Sequence, residues 1–411
     1  MKFQFRSEMI PLRFLSRLFR GFSIALLILS VPLFSSLFYL EHSLPDLYYS
    51  PEESFDFRAH PYLTTRTAVN ANPTATLPDS AHTVSIQLFD LIPIKTATVQ
   101  TSDERLLVPC GTPFGIKMFT KGVLIVSLSD LQTESGTVSP AKDAGLSPGD
   151  VILTIDGQAV STNEEVSAII SNCKGSDLTV TYRRDDTTST TRIQPVKSLA
   201  GSAYRAGIWV RDSTAGIGTL TYYDPYSGDF GGLGHGICDV DTGTLMPLSD
   251  GEIVPVAISD VIPGRSGSPG ELRGVFSQTV QLGRLTANTE NGVFGQMTRS
   301  PSPSGMIPVC YRQQVQPGPA QILTTVEGSS PQLYDIIIEK VHFDENNPTK
   351  NMVIRITDAN LLTVTGGIVQ GMSGSPIIQD GKLVGAVTHV LVNDPTRGYG
   401  IFLENMLDAA G

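Results

Sequence analysis

The chain has 411 residues, a formal net charge of −11 and 40% hydrophobic residues. This length and apolar content suffice for two globular domains with their own cores and exclude a disordered protein. The acidic balance offers no basic surface for nucleic acid, so we predict no nucleic-acid binding. The 39 glycines and 27 prolines lie among short apolar runs. This pattern predicts a mostly β fold.

The N-terminal segment combines basic residues with an uncharged apolar run. Five basic residues and one acidic residue precede residues 21–40, which carry no charge. A run of this length can cross a bilayer of about 30 Å, and the flanking cations favour the cytoplasmic side. It lacks a small-residue cleavage site, which favours an uncleaved anchor over a signal peptide. We therefore predict a cytoplasmic segment and transmembrane anchor over residues 1–42, with the rest of the chain outside the cytoplasm.

The next two segments differ in periodicity. Residues 43–100 are rich in turn formers, which predicts a tether with one strand near Thr83–Phe89. Residues 101–198 predict a compact unit with a helix that begins at Thr162, whose capping-box partner is Glu165. Buried strands of this unit are predicted at Gly122–Ser127, Asp150–Ile155 and Asp177–Tyr182.

The four cysteines lie far apart and form no C-x-x-C pair. This spacing disfavours a zinc ribbon and a thioredoxin-type site, so we predict neither a metal nor another cofactor. Outside the cytoplasm one or two disulfides are an alternative, but buried free thiols are the favoured interpretation.

Residues 144–158 (AGLSPGDVILTIDGQ) are similar to the signature of PDZ domains in bacterial proteases. The glycine and aspartate pairs in this segment make tight turns on either side of a buried strand. The resemblance implies that an extended peptide adds to a sheet edge beside the helix, where Val166 and Ile169 would contact it.

A second feature of PDZ domains is a loop that receives a peptide's terminal carboxylate. Phe114, Gly115 and Ile116 have the apolar-Gly-apolar form of that loop, and we assign them to peptide binding. The segment between this triplet and the strand at Val123 is longer than in the family. A glycine in an ordinary turn is therefore the alternative.

Residues 371–376 (GMSGSP) resemble the nucleophile loop of chymotrypsin-like serine proteases. The flanking glycines allow a sharp turn that exposes Ser373 Oγ, and the N–H groups of Gly371 and Ser373 can converge on an oxyanion. Residues 264–269 (GRSGSP) repeat the pattern around Ser266, but no pair of apolar strands joined by a turn follows them. We therefore assign the nucleophile to Ser373 and an ordinary turn to Ser266.

A serine nucleophile needs a general base, most often histidine. His235 lies in a glycine-framed segment (GLGHGI) that exposes its ring, and we assign it as the base. The alternatives are His342, in a charged stretch, and His389, at the end of an apolar strand. A core or groove role suits His389 better.

The third catalytic member must be a carboxylate that faces inward. The period of two in residues 351–358 (NMVIRITD) places Asp358 on the apolar face of a strand, where a protonated His235 would balance its charge. Asp239 and Asp241 are nearer to His235 in sequence but lie in a predicted turn. We assign the third role to Asp358.

The order His235, Asp358, Ser373, together with the anchor and the PDZ-like unit, resembles the stage IV sporulation protein B family, the signalling serine peptidases of endospore-forming bacteria. The resemblance covers most of residues 100–411 and includes PFGIK at 113–117, GHG at 234–236, TGGIVQGMSGSP at 365–376 and VNDP at 392–395. It implies a forespore membrane protein whose catalytic part lies in the intermembrane space and is released by self-cleavage. It also implies cleavage of a regulatory subunit of an intramembrane metalloprotease complex, which leads to sigma-factor activation during sporulation.

The sequence thus predicts a PDZ domain (α+β) at residues 101–198 and a chymotrypsin-like β-barrel serine peptidase domain at residues 199–411. Its partners would be protein or peptide substrates and, through the anchor, a membrane. The main alternative is a membrane-tethered PDZ adaptor whose protease-like domain is not catalytic, but the complete His, Asp and Ser set disfavours it. A metalloprotease is disfavoured because the chain has no H-E-x-x-H motif.

Overall fold

The computed structural model describes residues 28, 30–51, 55–67, 81–102, 104–199, 201, 203–277, 280–298 and 305–411. The chain divides into two compact units, residues 1–102 with 343–345, and residues 103–342 with 346–411. The described helices are α1 at residues 30–43, α2 at Pro140–Asp143, α3 at Asn163–Asn172, α4 at Ala359–Thr365 and α5 at Leu403–Ala410.

The first unit contains a four-stranded sheet in the order β1-β4-β3-β2. Its strands are β1 (Leu47–Ser50), β2 (Leu63–Thr67), β3 (Ala81–Leu88) and β4 (Ile92–Thr101). The strand predicted near Thr83–Phe89 is confirmed as β3, but the prediction of a tether with little structure is wrong. Alternate residues of β3, such as Val84 and Ile86, are buried and give the sheet an apolar face.

The predicted anchor over residues 1–42 lies largely outside the described residues. Within the ranges given above, no helix is both long and apolar enough to cross a membrane.

A first β-barrel occupies the beginning of the second unit. Its six strands follow the order β6-β17-β19-β20-β16-β15, and pairing of β6 with β15 closes the ring. They are β6 (Pro113–Leu128), β15 (Ile208–Tyr223), β16 (Asp229–Gly232), β17 (Leu248–Ile262), β19 (Gly283–Thr289) and β20 (Gly292–Met297), with β5 (Leu106–Pro109) beside β15 and β18 (Glu271–Phe276) beside β17. Buried apolar side chains, among them Phe114, Met118 and Phe230, fill its core.

The predicted PDZ unit is inserted between two neighbouring strands of this barrel. The chain leaves the barrel in the second half of β6 and returns in the first half of β15. Between them lie β7 (Leu131–Thr133), β8 (Gly136–Val138), β9 (Val151–Ile155), β10 (Gln158–Ala159), β11 (Leu178–Arg184), β12 (Thr187–Ile193), β13 (Val196–Lys197) and β14 (Tyr204–Arg205). The three predicted strands are confirmed, and so is the helix, because α3 begins after Thr162 with the capping box to Glu165.

A second, closed barrel follows in the order β22-β23-β24-β27-β26-β25. Its strands are β22 (Gly318–Thr324), β23 (Gln332–Val341), β24 (Met352–Ile356), β25 (Pro376–Gln379), β26 (Lys382–Leu391) and β27 (Asp394–Phe402), preceded by β21 (Ile307–Pro308). Asp380 and Gly381 make the predicted turn between β25 and β26 with φ angles of 51° and 74°. The prediction of a mostly β fold with a barrel in the peptidase part is confirmed.

One sequence prediction about the PDZ unit needs correction. Phe114, Gly115 and Ile116 do not form a loop but lie within β6, where they pair with β15 on one side and β17 on the other. Phe114 and Ile116 are buried in the first barrel. Strands of the first barrel lie on both sides of the predicted boundary at residues 198 and 199, because β6 precedes the inserted unit and β15 follows it. The order of the sequence does not show that β6 belongs both to the first barrel and to the inserted unit.

The four cysteines all lie within the described ranges and form no disulfide. Cys310 is buried, Cys110 and Cys173 are partly buried, and Cys238 is exposed. The preference for free thiols is therefore confirmed, whereas burial of Cys238 is not. Burial raises the pKa of the Cys110 thiol to about 12.

Candidate active site

A cleft of about 330 Å³ brings His235 and Ser373 together. His235 follows strand β16 of the first barrel, and Ser373 precedes strand β25 of the second. The cleft is also lined by residues 214–217 of β15 and by Gly371. The two side chains that the sequence assigned as base and nucleophile therefore face one cavity where the barrels meet.

Strand β15 of the first barrel holds the nucleophile loop in place. Thr219 donates its N–H to Ser373 O at 3.0 Å and its hydroxyl to Gly371 O at 2.8 Å. Thr221 donates its hydroxyl to Gly374 O at 2.8 Å. These three hydrogen bonds fix the loop on both sides of the nucleophile.

Glycine is required at position 374 by this close approach. Gly374 has a φ of 94°, and a Cβ there would lie 2.0 Å from Thr219 O and 2.5 Å from Leu233 N. Leu233 lies two residues before His235, so the loop of the nucleophile packs directly on the segment of the base. A side chain at residue 374 would separate the two segments.

The loop also presents two unused donors. Within the described part of the chain, the backbone N–H groups of Gly371 and Ser373 donate to no protein acceptor. Gly371 has a φ of 96°, a conformation that favours glycine. These are the two N–H groups that the sequence predicted for an oxyanion site.

The Ser373 hydroxyl is not yet paired with a base in this structure. Its Oγ donates to the carbonyl of Thr388, on β26, at 2.8 Å. Catalytic hydrogen bonds are often formed only once substrate is bound, so the hydroxyl must turn from Thr388 towards the imidazole. The Thr388 carbonyl therefore marks the resting position of the nucleophile.

The His235 ring is held by its own backbone neighbour. Its Nδ1 lies 2.9 Å from the carbonyl oxygen of Gly236. A carbonyl can only accept, so Nδ1 carries the proton and Nε2 keeps its lone pair in the neutral ring. Burial lowers the pKa of His235, and the Gly236 hydrogen bond offsets only part of that effect. The ring is therefore uncharged at neutral pH, as a general base must be.

His389 is a neighbour of the base. Its ring centroid lies 5.0 Å from that of His235. Partial burial is the largest cause that lowers the pKa of His389 to about 4, and repulsion by Lys350 and by the protonated form of His235 adds to it. Its outer side is exposed. The third histidine, His342, follows strand β23. Its backbone N–H donates to the carbonyl oxygen of Asn351, and the residue does not line the cleft.

The structure does not bring Asp358 to His235. Strand β24 ends at Ile356, and Asp358 is the N-cap of α4. Its Oδ1 accepts the N–H groups of Asn360 and Leu361, each at 2.9 Å. The assignment of Asp358 to a buried strand face is therefore wrong, because the period of two was extended past the end of the strand into a helix cap.

The alternative carboxylates serve the loop that follows His235. Asp239 is buried and pairs with Arg211 of β15, which also contacts Asp241 at 2.9 Å. Burial would raise the pKa of Asp239, but hydrogen bonds from Thr242 and the charge of Arg211 outweigh it and lower the pKa. Neither carboxylate accepts a hydrogen bond from His235 in the part of the chain described.

The second G-x-S-G-S-P segment has a structural role. It forms the tip of the hairpin of β17 and β18, where Ser266 Oγ donates to Asn393 O at 2.9 Å. Just beyond it, Gln370 N donates to Gly270 O and Leu272 N donates to Gln370 O, both at 2.8 Å. Because Gln370 precedes Gly371, these hydrogen bonds hold the hairpin against the loop of the nucleophile.

Sequence reasoning missed Gly236, Thr219, Thr221 and Thr388. Gly236 and Thr388 act through backbone carbonyls, which no side-chain pattern marks. Thr219 and Thr221 alternate along β15 and so point to one face, and two threonines on an otherwise apolar strand end are the only signal that was present.

Comparison with known proteins gives two family matches. The SpoIVB peptidase S55 family model matches residues 202–407, and a PDZ domain model matches residues 114–194. Among solved structures, the PDZ domain of an SdrC-like protein from Listeria monocytogenes is 26% identical and covers 22% of this chain and 87% of its own, with a TM-score of 0.19. No curated protein matches.

We expect Asp358→Asn to retain activity within about twofold, because asparagine is an equally good N-cap. Asp358→Ala should lower the free energy of unfolding by about 1 kcal/mol. Peptide hydrolysis and urea unfolding of both variants check this. A loss of several orders of magnitude in Asp358→Asn, with stability unchanged, would restore Asp358 to the catalytic set.

The lowered pKa of His235 predicts the acid limb of the pH profile. The base works only when neutral, so kcat/KM should fall as the pH drops through this lowered value, with a midpoint below the ordinary histidine value of about 6.5. A neutral peptide substrate isolates the enzyme's own titration. His342→Gln is the control and should leave the midpoint unchanged, whereas a wild-type midpoint at or above 6.5 would contradict the assignment.

Proposed function

The chain belongs to the SpoIVB peptidase S55 family, and we propose that this serine peptidase uses Ser373 as nucleophile and His235 as general base. The observation that carries the assignment is that both side chains line one cleft at the junction of the two barrels. The free N–H groups of Gly371 and Ser373 support it, because acyl transfer needs donors for the developing oxyanion.

The proposed reaction follows from these positions. Ser373 Oγ leaves the Thr388 carbonyl and attacks the scissile carbonyl carbon, while His235 Nε2 takes the hydroxyl proton. The oxyanion of the tetrahedral intermediate accepts hydrogen bonds from Gly371 N and Ser373 N. The imidazolium then gives its proton to the leaving amine. Water repeats the sequence on the acyl-enzyme and restores the serine.

The Gly236 carbonyl takes the orienting role that a carboxylate has in a triad. It holds the Nδ1–H tautomer and so leaves the lone pair of the neutral ring on Nε2. A neutral carbonyl stabilises imidazolium less than a carboxylate does, because it carries only a partial charge. We therefore propose a pair of side chains with a backbone acceptor, and not a full triad with Asp358.

The biological role is proposed from the family resemblance of the sequence. On this proposal the enzyme is anchored in the forespore membrane with its catalytic part outside the cytoplasm, and self-cleavage releases it. Its substrate would be a regulatory subunit of an intramembrane metalloprotease complex, whose cleavage leads to sigma-factor activation. Two of the motifs that carry the resemblance, GHG at residues 234–236 and TGGIVQGMSGSP at residues 365–376, support this role most directly.

A fluorophosphonate probe tests the assignment of the nucleophile. We expect the probe to label the purified protein, with peptide mass mapping placing the adduct on Ser373. Ser373→Ala should lose labelling and peptide hydrolysis together. Ser266→Ala is the matched control, since it lies in the same six-residue pattern, and it should keep labelling. Labelling that survives in Ser373→Ala and disappears in Ser266→Ala would reverse the two assignments.

A further inference from the structure

Apolar side chains are exposed at the turn between strands β3 and β4 of the first unit. Leu91 is 81% exposed and Phe89 is 65% exposed, and Ile92 at the start of β4 is exposed as well. The exposed ring of Tyr62, which precedes β2, lies 6.2 Å from that of Phe89 between centroids. Because Phe89 N donates to Tyr62 O at 2.7 Å, the four residues lie at one end of the sheet. They are called the hairpin tip below.

The apolar core of the first unit lies elsewhere and is already covered. Val84, Ile86 and Val99 are fully buried on one face of the sheet. Phe57 packs edge-on against Tyr48 of β1, and both of these rings are buried. The hairpin tip lies beyond this core, so folding of the unit does not explain its apolar residues. A contiguous apolar surface of this kind marks a site of interaction.

The conformation of the turn disfavours the residue that occupies it. Phe89 and Asp90 have φ angles of 52° and 59°, in the left-handed region. Turns of this kind favour glycine, asparagine and aspartate, and a bulky side chain there is an outlier. Phe89 therefore costs conformational energy without packing into the core. Strain that is kept at an exposed position points to a function of the ring.

The charge of the turn is balanced within the sheet. Asp90 is the one charged residue of the turn, and it pairs with Arg66 of β2. The hydroxyl of Thr64 donates to Asp90 Oδ1 at 3.5 Å. An apolar surface with a paired carboxylate can enter the headgroup region of a bilayer, whereas an unpaired carboxylate would oppose this. Tyrosine, as at position 62, is typical of the membrane interface.

Helix α1 approaches the sheet from the end that carries the hairpin tip. Strand β1 follows this helix and runs parallel to β4, with Leu47 opposite Thr98. Because β4 begins at the hairpin tip, the chain before β1 comes from the same end of the sheet. Lys95 of β4 pairs with Asp46, just before β1, at 2.7 Å. At about 3.3 Å per residue, Leu91 lies only about 13 Å from Lys95 along the strand.

Apolar side chains of α1 are exposed too, among them Val31, Phe34 and Phe38. This helix is the described part of the predicted anchor over residues 1–42. A bilayer that covers α1 would therefore meet the sheet at the end where the hairpin tip lies. The direction of the chain and the exposed apolar residues thus indicate the same occupant for the hairpin tip.

We propose that the hairpin tip inserts into the headgroup region of the membrane that holds the anchor and thereby seats the first unit on the bilayer surface. The partner is a lipid surface, bound through apolar area and not through anionic headgroups, because Arg66 already neutralises Asp90. This inference rests on one part of the proposed function, the membrane anchor, and is independent of Ser373 and His235.

Quenching by lipids tests the contact in the full-length protein reconstituted into phosphatidylcholine vesicles. Trp209 is the single tryptophan, so Trp209→Phe gives a background without tryptophan. In this background Leu91→Trp reports on the hairpin tip. Thr101→Trp is the matched control, because it is exposed and lies at the far end of β4, about 30 Å away. With lipids brominated on their acyl chains, we expect emission to fall at least about twofold for Leu91→Trp and by less than about a tenth for Thr101→Trp. Added anionic lipid should change neither value.

Phe89→Asn separates membrane contact from folding. Asparagine suits the left-handed conformation, so the temperature of thermal unfolding should rise. In the Leu91→Trp background the same change should reduce the quenching by brominated lipid, because the ring no longer enters the bilayer. A more stable fold with a weaker membrane contact is a result that unfolding does not produce. Quenching that Phe89→Asn leaves unchanged would overturn the role of the ring.

Extraction with alkaline carbonate tests the anchor independently of the hairpin tip. Protein that stays with the vesicles while Leu91→Trp is unquenched would overturn the hairpin tip and keep the anchor. Protein that is quenched but released by carbonate would overturn the anchor and keep a peripheral contact of the hairpin tip. A blue-shifted Leu91→Trp emission without quenching would show that protein, and not lipid, covers the hairpin tip, and would also overturn the proposal.

Discussion

The structure depends on the hydrogen-bonded contact between strand β15 and the loop of the nucleophile. Thr219 and Thr221 bind the carbonyls of residues 371, 373 and 374 and thereby join the two barrels at the cleft. This contact leaves no room for a side chain at Gly374. Preorganised donors stabilise charge in a transition state only if they are held rigidly, so the oxyanion geometry depends on this contact.

Strand β15 links this contact to the rest of the second unit. Its beginning lines a groove of about 410 Å³ beside α3, its middle lines the cleft and its end binds the nucleophile loop. Arg211, between groove and cleft, pairs with Asp239 in the loop that follows His235. One strand therefore lines this groove and the cleft of His235 and Ser373, and it also holds the loop of the nucleophile.

The sequence predicted the features that local chemistry determines. The capping box of α3, the turn at residues 380 and 381, and the glycine-framed loops of His235 and Ser373 are all readable because a few neighbouring residues set each conformation. The first unit was mistaken for a tether because its short strands are separated by many turn formers.

Features that depend on pairing between distant segments were not predictable in this way. The long strand β6 serves a barrel and the inserted unit at once, so Phe114 and Ile116 became barrel core. Asp358 shows the limit of periodicity, because a helix cap and the end of a strand can carry the same residue type.

The central claim is that Ser373 and His235 act as one unit, with the Gly236 carbonyl in place of a catalytic carboxylate. A double-mutant cycle of Ser373→Ala and His235→Ala, measured as kcat for peptide hydrolysis, tests it most directly. Each single variant should lose at least about 10³-fold, and the double variant should lose no more than the worse single variant. Losses that multiply in the double variant, with thermal unfolding unchanged, would show that the two residues act independently and would contradict the claim.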